Sequence, residues 1–158
     1  MSRASVQSFL TEHAPDLAII DHGRSTATVI EAAATLNVAL ARIAKTLSLR
    51  APEGVMLIVA RGDARLDNAK MKSVLGGRAR MLSPEEVSSL TGHPVGGVCP
   101  FGLATPLPIL CDVSLRDFAT VFPAAGSQTS SIEIAPERLA ALVGARWVDV
   151  CSPAAPRG

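Results

Sequence analysis

Residues 91–102 constrain the fold more than any other stretch of the chain. Gly92, Gly96, Gly97 and Gly102 with Pro94 and Pro100 make half of these twelve positions glycine or proline. Glycine forfeits too much entropy and proline removes a donor, so neither a regular helix nor a strand can run through them. The residues between are mostly apolar, unlike a solvated linker. The stretch therefore reads as a shaped loop lying against the body, with two uses open to it. It is either a tight crossover between elements or a wall that presents backbone amides to a ligand, Gly96 and Gly97 admitting close approach and Pro100 stiffening the exit.

A second feature lies upstream. Read as a strand, Ile43, Lys45, Leu47 and Leu49 share one face by period-two alternation, with Ala44, Thr46 and Ser48 on the other. The lysine thus falls on the apolar side. Either its ammonium faces a polar cavity, because burial is costly without a partner, or its stem lies along the sheet edge and the charge reaches water.

At 158 residues the chain fits one domain with a substantial core, over residues 1–151, followed by a frayed Pro/Ala-rich tail at 152–158. Hydrophobic residues make up 48% but aromatics only 3%, so aliphatic side chains and alanine fill that core. No apolar run approaches the ~20 residues that span a bilayer, and no signal segment opens the chain, so a cytoplasmic location and no membrane partner are expected. A formal net charge of +1 argues against a DNA binder that relies on overall positive potential. Locally, residues 61–80 hold six basic against two acidic side chains, either a phosphate-facing patch or a solvated helix face. Cys99, Cys111 and Cys151 form neither an even framework nor a CxxC pair and read as reduced thiols, Cys99 as small-residue filler. His13, His22 and His93 make no metal-ligand spacing; no metal or cofactor is expected.

Along the chain, helices are expected over residues 5–14, over 27–36 with Thr28 and Glu31 at capping-box spacing, over 68–75 capped by Asp67, and over 137–143 behind Pro136. A fifth opens at Ser83 with Pro84 and Glu86 and closes at Gly92. The positive end of the second helix would sit beside His22 and Thr26, an anion or carbonyl site. Strands are expected at 17–20, at 80–82, at 107–113 with Pro106 and Pro108 marking an edge or a strand start, at 118–122, 130–134 and 146–150. A hairpin joins the lysine strand to 55–60. Asp112 is a candidate site residue or a turn former. The elements alternate without a βαβ repeat, giving an α/β (α+β) domain with a mixed, mostly antiparallel sheet flanked by helices.

Taken together, these residues resemble the YbaK/ProX family, the free-standing relatives of the bacterial prolyl-tRNA synthetase editing domain. The matching positions are Ser25, Thr26 and Ala27; Ile43, Ala44, Lys45, Thr46 and Leu47; Arg61, Gly62 and Asp63; Thr91 and Gly92 with Val95 to Val98 and Pro100 to Gly102; Asp112; Ala125 and Gly126; and Ile132 to Ile134. The resemblance implies a mixed sheet with flanking helices and hydrolysis of the ester of mischarged aminoacyl-tRNA at its acceptor end, with prolyl-tRNA synthetase as a partner. It implies that Lys45 is the essential lysine, and that Gly96, Gly97, Val98 and Pro100 form the GxxxP substrate loop. His22, Thr26, Asp112, Gly126 and Ser127 are the further substrate-binding candidates. Such a site needs no protein nucleophile, since a ribose hydroxyl or a positioned water can act. Two rivals stand beside it: a non-catalytic module that binds tRNA or a synthetase, and a small-molecule hydrolase using Cys99.

Overall fold

The computed structural model describes residues 2–152. In chain order the elements are α1 (Ser2–His13), β1 (Ile20–Asp21), α2 (Val29–Leu36), β2 (Ile43–Ala51), β3 (Gly54–Arg61), β4 (Arg65–Leu66), α3 (Asn68–Leu75), β5 (Arg80–Met81), α4 (Pro84–Thr91), β6 (Ile109–Asp112), β7 (Phe122–Pro123), β8 (Ser130–Ser131), α5 (Pro136–Val143), β9 (Arg146–Val148) and β10 (Cys151–Ser152). Their ends are set by local chemistry. Thr28, Asp67 and Ser83 cap α2, α3 and α4 through side-chain oxygens, and Ser83 with Glu86 completes a reciprocal capping box.

The main sheet runs β5-β2-β3-β6-β9, with β7 beside the start of β2. β2 pairs antiparallel with β3 and β5, while β3 with β6, β6 with β9 and β2 with β7 are parallel. Two small antiparallel pairs, β1 with β8 and β10 with β4, close its flanks. The sheet is mixed and carries helices on both faces. Leu57 and Val59 of β3 point into a cluster with Val6 and Leu10 of α1 and Leu139 of α5, and the alternate residues Ile58 and Ala60 join Met71 and Leu75 of α3. These four residues at the centre of β3 are fully buried, as a strand covered on both faces requires.

Several boundaries differ from the sequence reading. Residues 17–19 are not a strand; β1 begins at Ile20. β6 is interior, between β3 and β9, because Pro108 precedes it and needs no donor there: its carbonyl accepts from Leu57 N at 3.0 Å. Residues 113–117 form a 3-10 helix, which shortens the expected strand at 118–122 to Phe122–Pro123. Ser152 pairs with Arg65 rather than fraying, and the remainder of the expected tail lies outside the described residues.

Candidate functional site

β2 is covered along one side by β3, but along the other only at its ends, by β7 at Ile43 and Ala44 and by β5 at Leu49 and Arg50. Residues 45–48 between them have no neighbouring strand. Leu82 N donates to the Ser48 carbonyl at 3.0 Å, so the main chain of Ser48 faces this gap, and by period two so does that of Thr46. A cavity of about 280 Å³ opens at the gap. Val29 and Ala32 of α2, Val87 of α4, Val95 and Val98 of the loop, and Phe122 give it a mostly apolar wall. The Arg42 guanidinium over the Phe122 ring, at 4.9 Å, steadies one side. The polar residues of the wall are Thr26, Thr28, Lys45, Thr46, Ser48, Ser130 and Ser131. Among these, Thr26 Oγ1 and Thr46 Oγ1 are buried and have no hydrogen-bond partner.

Lys45 stands opposite Ala60 in the β2–β3 ladder, on the face that carries Ile58 and Leu49. Its stem is half-buried. The ammonium donates to the carbonyls of Gly62, at 3.3 Å, and Ala64. Burial pushes its pKa below the ordinary lysine value; Cys151 and Asp63 pull the other way and Arg65 adds to the depression. Two carbonyls occupy two of three N–H groups, leaving one donor. The ammonium is thus paired, by main-chain oxygens of the turn after β3, while the residue also lines the cavity.

The glycine-rich loop reaches the cavity through Val95, Gly96 and Val98. Its glycines serve packing. A Cβ on Gly96, where φ is +91°, would lie 2.9 Å from the Ala27 Cβ, and one on Gly97 would lie 2.8 Å from Ser127 N. The space expected for a ligand is filled by the protein's own chain, which fixes the loop to segments 27 and 127. Gly126 N donates to the Gly97 carbonyl at 3.1 Å, and Gln128 Nε2 to the Val95 carbonyl at 2.7 Å, completing that junction.

The model of a family described as the aminoacyl-tRNA editing domain matches residues 24–142, which include every element of this cavity wall. The chain belongs to the aminoacyl-tRNA editing domain family. A Bacillus subtilis relative, the uncharacterized protein YwhH, is 48% identical over 153 residues, covering 96% of this chain and 98% of that one. The proline–tRNA ligase of Solidesulfovibrio magneticus is 40% identical over 82 residues, 51% of this chain but 14% of the ligase. Among solved structures, a candidate trans-editing enzyme for prolyl tRNA synthetase superposes with a TM-score of 0.88 at 34% identity, covering 96% of this chain and 98% of the other.

In this editing domain the expected site residues fall into four groups. Thr26, Lys45, Gly96 and Val98 line the cavity. His22, Gly97, Gly126 and Ser127 stand one contact behind it: His22 Nε2 lies 2.7 Å from Ser131 Oγ, and the Ser127 hydroxyl bonds that of Ser130. Pro100 is buried at the loop's exit. Asp112 lies apart, lining a separate recess, where Oδ1 accepts from Val150 N at 2.8 Å and Oδ2 from Ser114 N at 2.9 Å. It caps the 3-10 helix, the turn-forming role.

The sequence reading missed Thr46, Ser130 and Ser131. Thr46 was visible beside Lys45, whereas the two serines reach the wall only through β8 pairing with β1, more than a hundred residues away. It also found no Cys–His pair, yet Cys99 Sγ lies 3.6 Å from His93 Nε2. Both are fully buried, and burial pushes the thiol up to about 12, so the pair holds no accessible nucleophile. Among the described residues, no helix is long and apolar enough to cross a membrane.

Proposed function

We propose that this editing domain is a trans-acting deacylase that hydrolyses the ester of mischarged aminoacyl-tRNA, with tRNA-Pro carrying a small wrong amino acid as its substrate. One observation carries the reading: a cavity sized for a small side chain is bounded on one side by the lysine strand and on the other by the glycine loop. The apolar wall of Val29, Val87 and Phe122 would take the amino-acid side chain. The open main chain at Thr46 offers one N–H and one C=O to the ester and amino groups, and Gly96 and Val98 line the same cavity. Lys45, with one ammonium N–H uncommitted, would support the developing charge or the adjacent phosphate. Attack would come from water or the ribose 2′-hydroxyl, as the Cys99–His93 pair behind the loop is buried, with its thiol held protonated. Similarity to proline–tRNA ligases and to a candidate trans-editing enzyme supports tRNA-Pro as the carrier and prolyl-tRNA synthetase as a partner.

The test is a panel of Ala-, Ser-, Thr- and Cys-tRNA-Pro incubated with the purified protein. Hydrolysis of at least one, lost by about a hundredfold or more in Lys45→Ala with the fold retained, is expected. No lysine-dependent release across the panel refutes the reading. Since the ammonium acts while charged and its pKa is depressed, activity should decline as pH rises through a value below that of an ordinary lysine. The two carbonyl bonds on Lys45 favour one alternative, a non-catalytic module in which the lysine only shapes the turn. Binding of the acceptor end without release of amino acid would select it.

A further inference from the structure

Behind the glycine loop lies a buried imidazole that lines no part of the cavity. His93 sits at the loop's base. Its Nε2 is 2.7 Å from the Phe101 carbonyl oxygen and its Nδ1 is 2.6 Å from Ser2 Oγ, which in turn lies against the Gly126 carbonyl. These three contacts need three hydrogens. Both carbonyls can only accept, so Nε2 must carry a proton and the Ser2 hydroxyl must donate to Gly126. A hydroxyl has one hydrogen, which leaves none for the contact between Ser2 and a neutral ring. An imidazolium supplies the third: Nε2–H to Phe101, Nδ1–H to Ser2 Oγ, Ser2 O–H to Gly126.

We propose that His93 is a positioning residue whose second proton completes this hydrogen-bonded chain and so fixes the glycine wall of the cavity. Gly126 N donates to the Gly97 carbonyl, and Phe101 follows Pro100 directly, so the ring reaches both ends of the substrate loop. The chain also ties in α1, whose first turn lies over two glycines: a Cβ on Gly102 or Gly126 would strike the carbonyl oxygens of Ser5 or Ser2 at 2.5 and 2.7 Å. The surroundings of the ring hold little charge. The loop contributes the neutral Cys99 thiol, the 126 turn its main chain, α4 the Thr91 hydroxyl bonded to the His93 main chain, and α1 Ser2, with Arg3 paired to Asp21 at 3.2 Å. Among the described residues no carboxylate contacts the ring; burial lowers the pKa of His93, against a pull upward from the Phe101 carbonyl. The chain is therefore one proton short near neutrality and closes on the acid side of the ordinary histidine value.

The inference rests on the deacylase reading only for its kinetic arm. NMR of the full chain would follow the His93 ring and the amides of Gly97 and Gly126 through an acid titration. Both amides should shift with the midpoint of the ring, below the usual histidine value. In Ser2→Ala, which removes a hydroxyl from the first turn and threatens the fold little, the Gly126 amide should no longer follow the ring. In deacylation, kcat/KM should change about threefold to tenfold across the same midpoint, the size of one hydrogen bond. That inflection should vanish in Ser2→Ala and in His93→Gln, whose amide can bridge Phe101 and Ser2 without titrating. Amides indifferent to the ring's titration overturn the proposal, as does a Ser2→Ala titration that superimposes on wild type. So does a ring that stays neutral until the protein unfolds. If no ester is hydrolysed, the deacylase reading falls while the amide shifts still decide this one.

Discussion

Two cavities of similar size adjoin the central hairpin and differ in every other respect. The recess around Asp112, about 240 Å³, is rich in charge, but its charges are committed. Arg61 bonds Asp63 and Asp117 at 2.6 Å each, Lys70 bonds Asp149 and the Cys151 carbonyl, and Asp112 holds two backbone N–H groups. The cavity at the β2 edge, about 280 Å³, carries little charge, yet Thr26 and Thr46 have unpartnered hydroxyls and a stretch of strand has no neighbour. Polar groups already satisfied by the fold have nothing left to offer a ligand, whereas unsatisfied ones in a concave apolar wall do. Availability, more than charge, separates the site from the scaffold.

The contrast is exposed to experiment. The largest effect is expected at Asp112: Asp112→Ala leaves two backbone N–H groups unpaired beside a void and should cost about 3 kcal/mol in urea unfolding. The protein that remains folded should deacylate normally. Inactive but stable Asp112→Ala protein would break the comparison, because the recess would then be functional. Next comes Gly97→Ala, whose Cβ must displace the Ser127 main chain and with it the loop. A tenfold to hundredfold loss in kcat/KM is expected at modest cost in stability. Glu86 gives a pH signature. Arg50 first, then the Ser83 N–H, hold its carboxyl down to about 2 from an ordinary 4.5. Its folded pKa lies below the unfolded one, so its contribution is complete above about pH 4.5 and is lost as pH falls toward 2. Melting curves should show that acid-side decline flattened in Glu86→Gln. The smallest effect is at Thr46: Thr46→Val removes an unpartnered hydroxyl and should leave melting unchanged or raise stability by about 0.5 kcal/mol. A loss above 1 kcal/mol would mean that the hydroxyl is satisfied after all.

How much of this the sequence disclosed depends on distance along the chain. The caps at Thr28, Asp67 and Ser83, the stop at Gly92 and the β2–β3 hairpin are local chemistry and were legible. The face on which Lys45 lies was legible from alternation. Where its ammonium goes was not, since Gly62 and Ala64 are met only after the chain turns back beyond β3. β4 and β10 are two residues each, too short for periodicity to register, and exist because distant segments bring them together. The glycines were visible but their use stayed open between a crossover and a ligand wall: a missing Cβ admits close approach equally well from a ligand or from the protein itself, and only coordinates show that Ala27 and Ser127 make that approach here.

That close approach bears on how such a pocket diversifies. Since Gly96 and Gly97 are locked to the backbone at Ala27 and Ser127, the frame of the wall is rigid and intolerant of substitution. The apolar side chains of the wall, Val29, Val87 and Phe122, take no part in those glycine contacts. Descendants of one ancestral domain could therefore trade one amino-acid preference for another by exchanging a few aliphatic groups, while the chemistry at their centre is inherited intact.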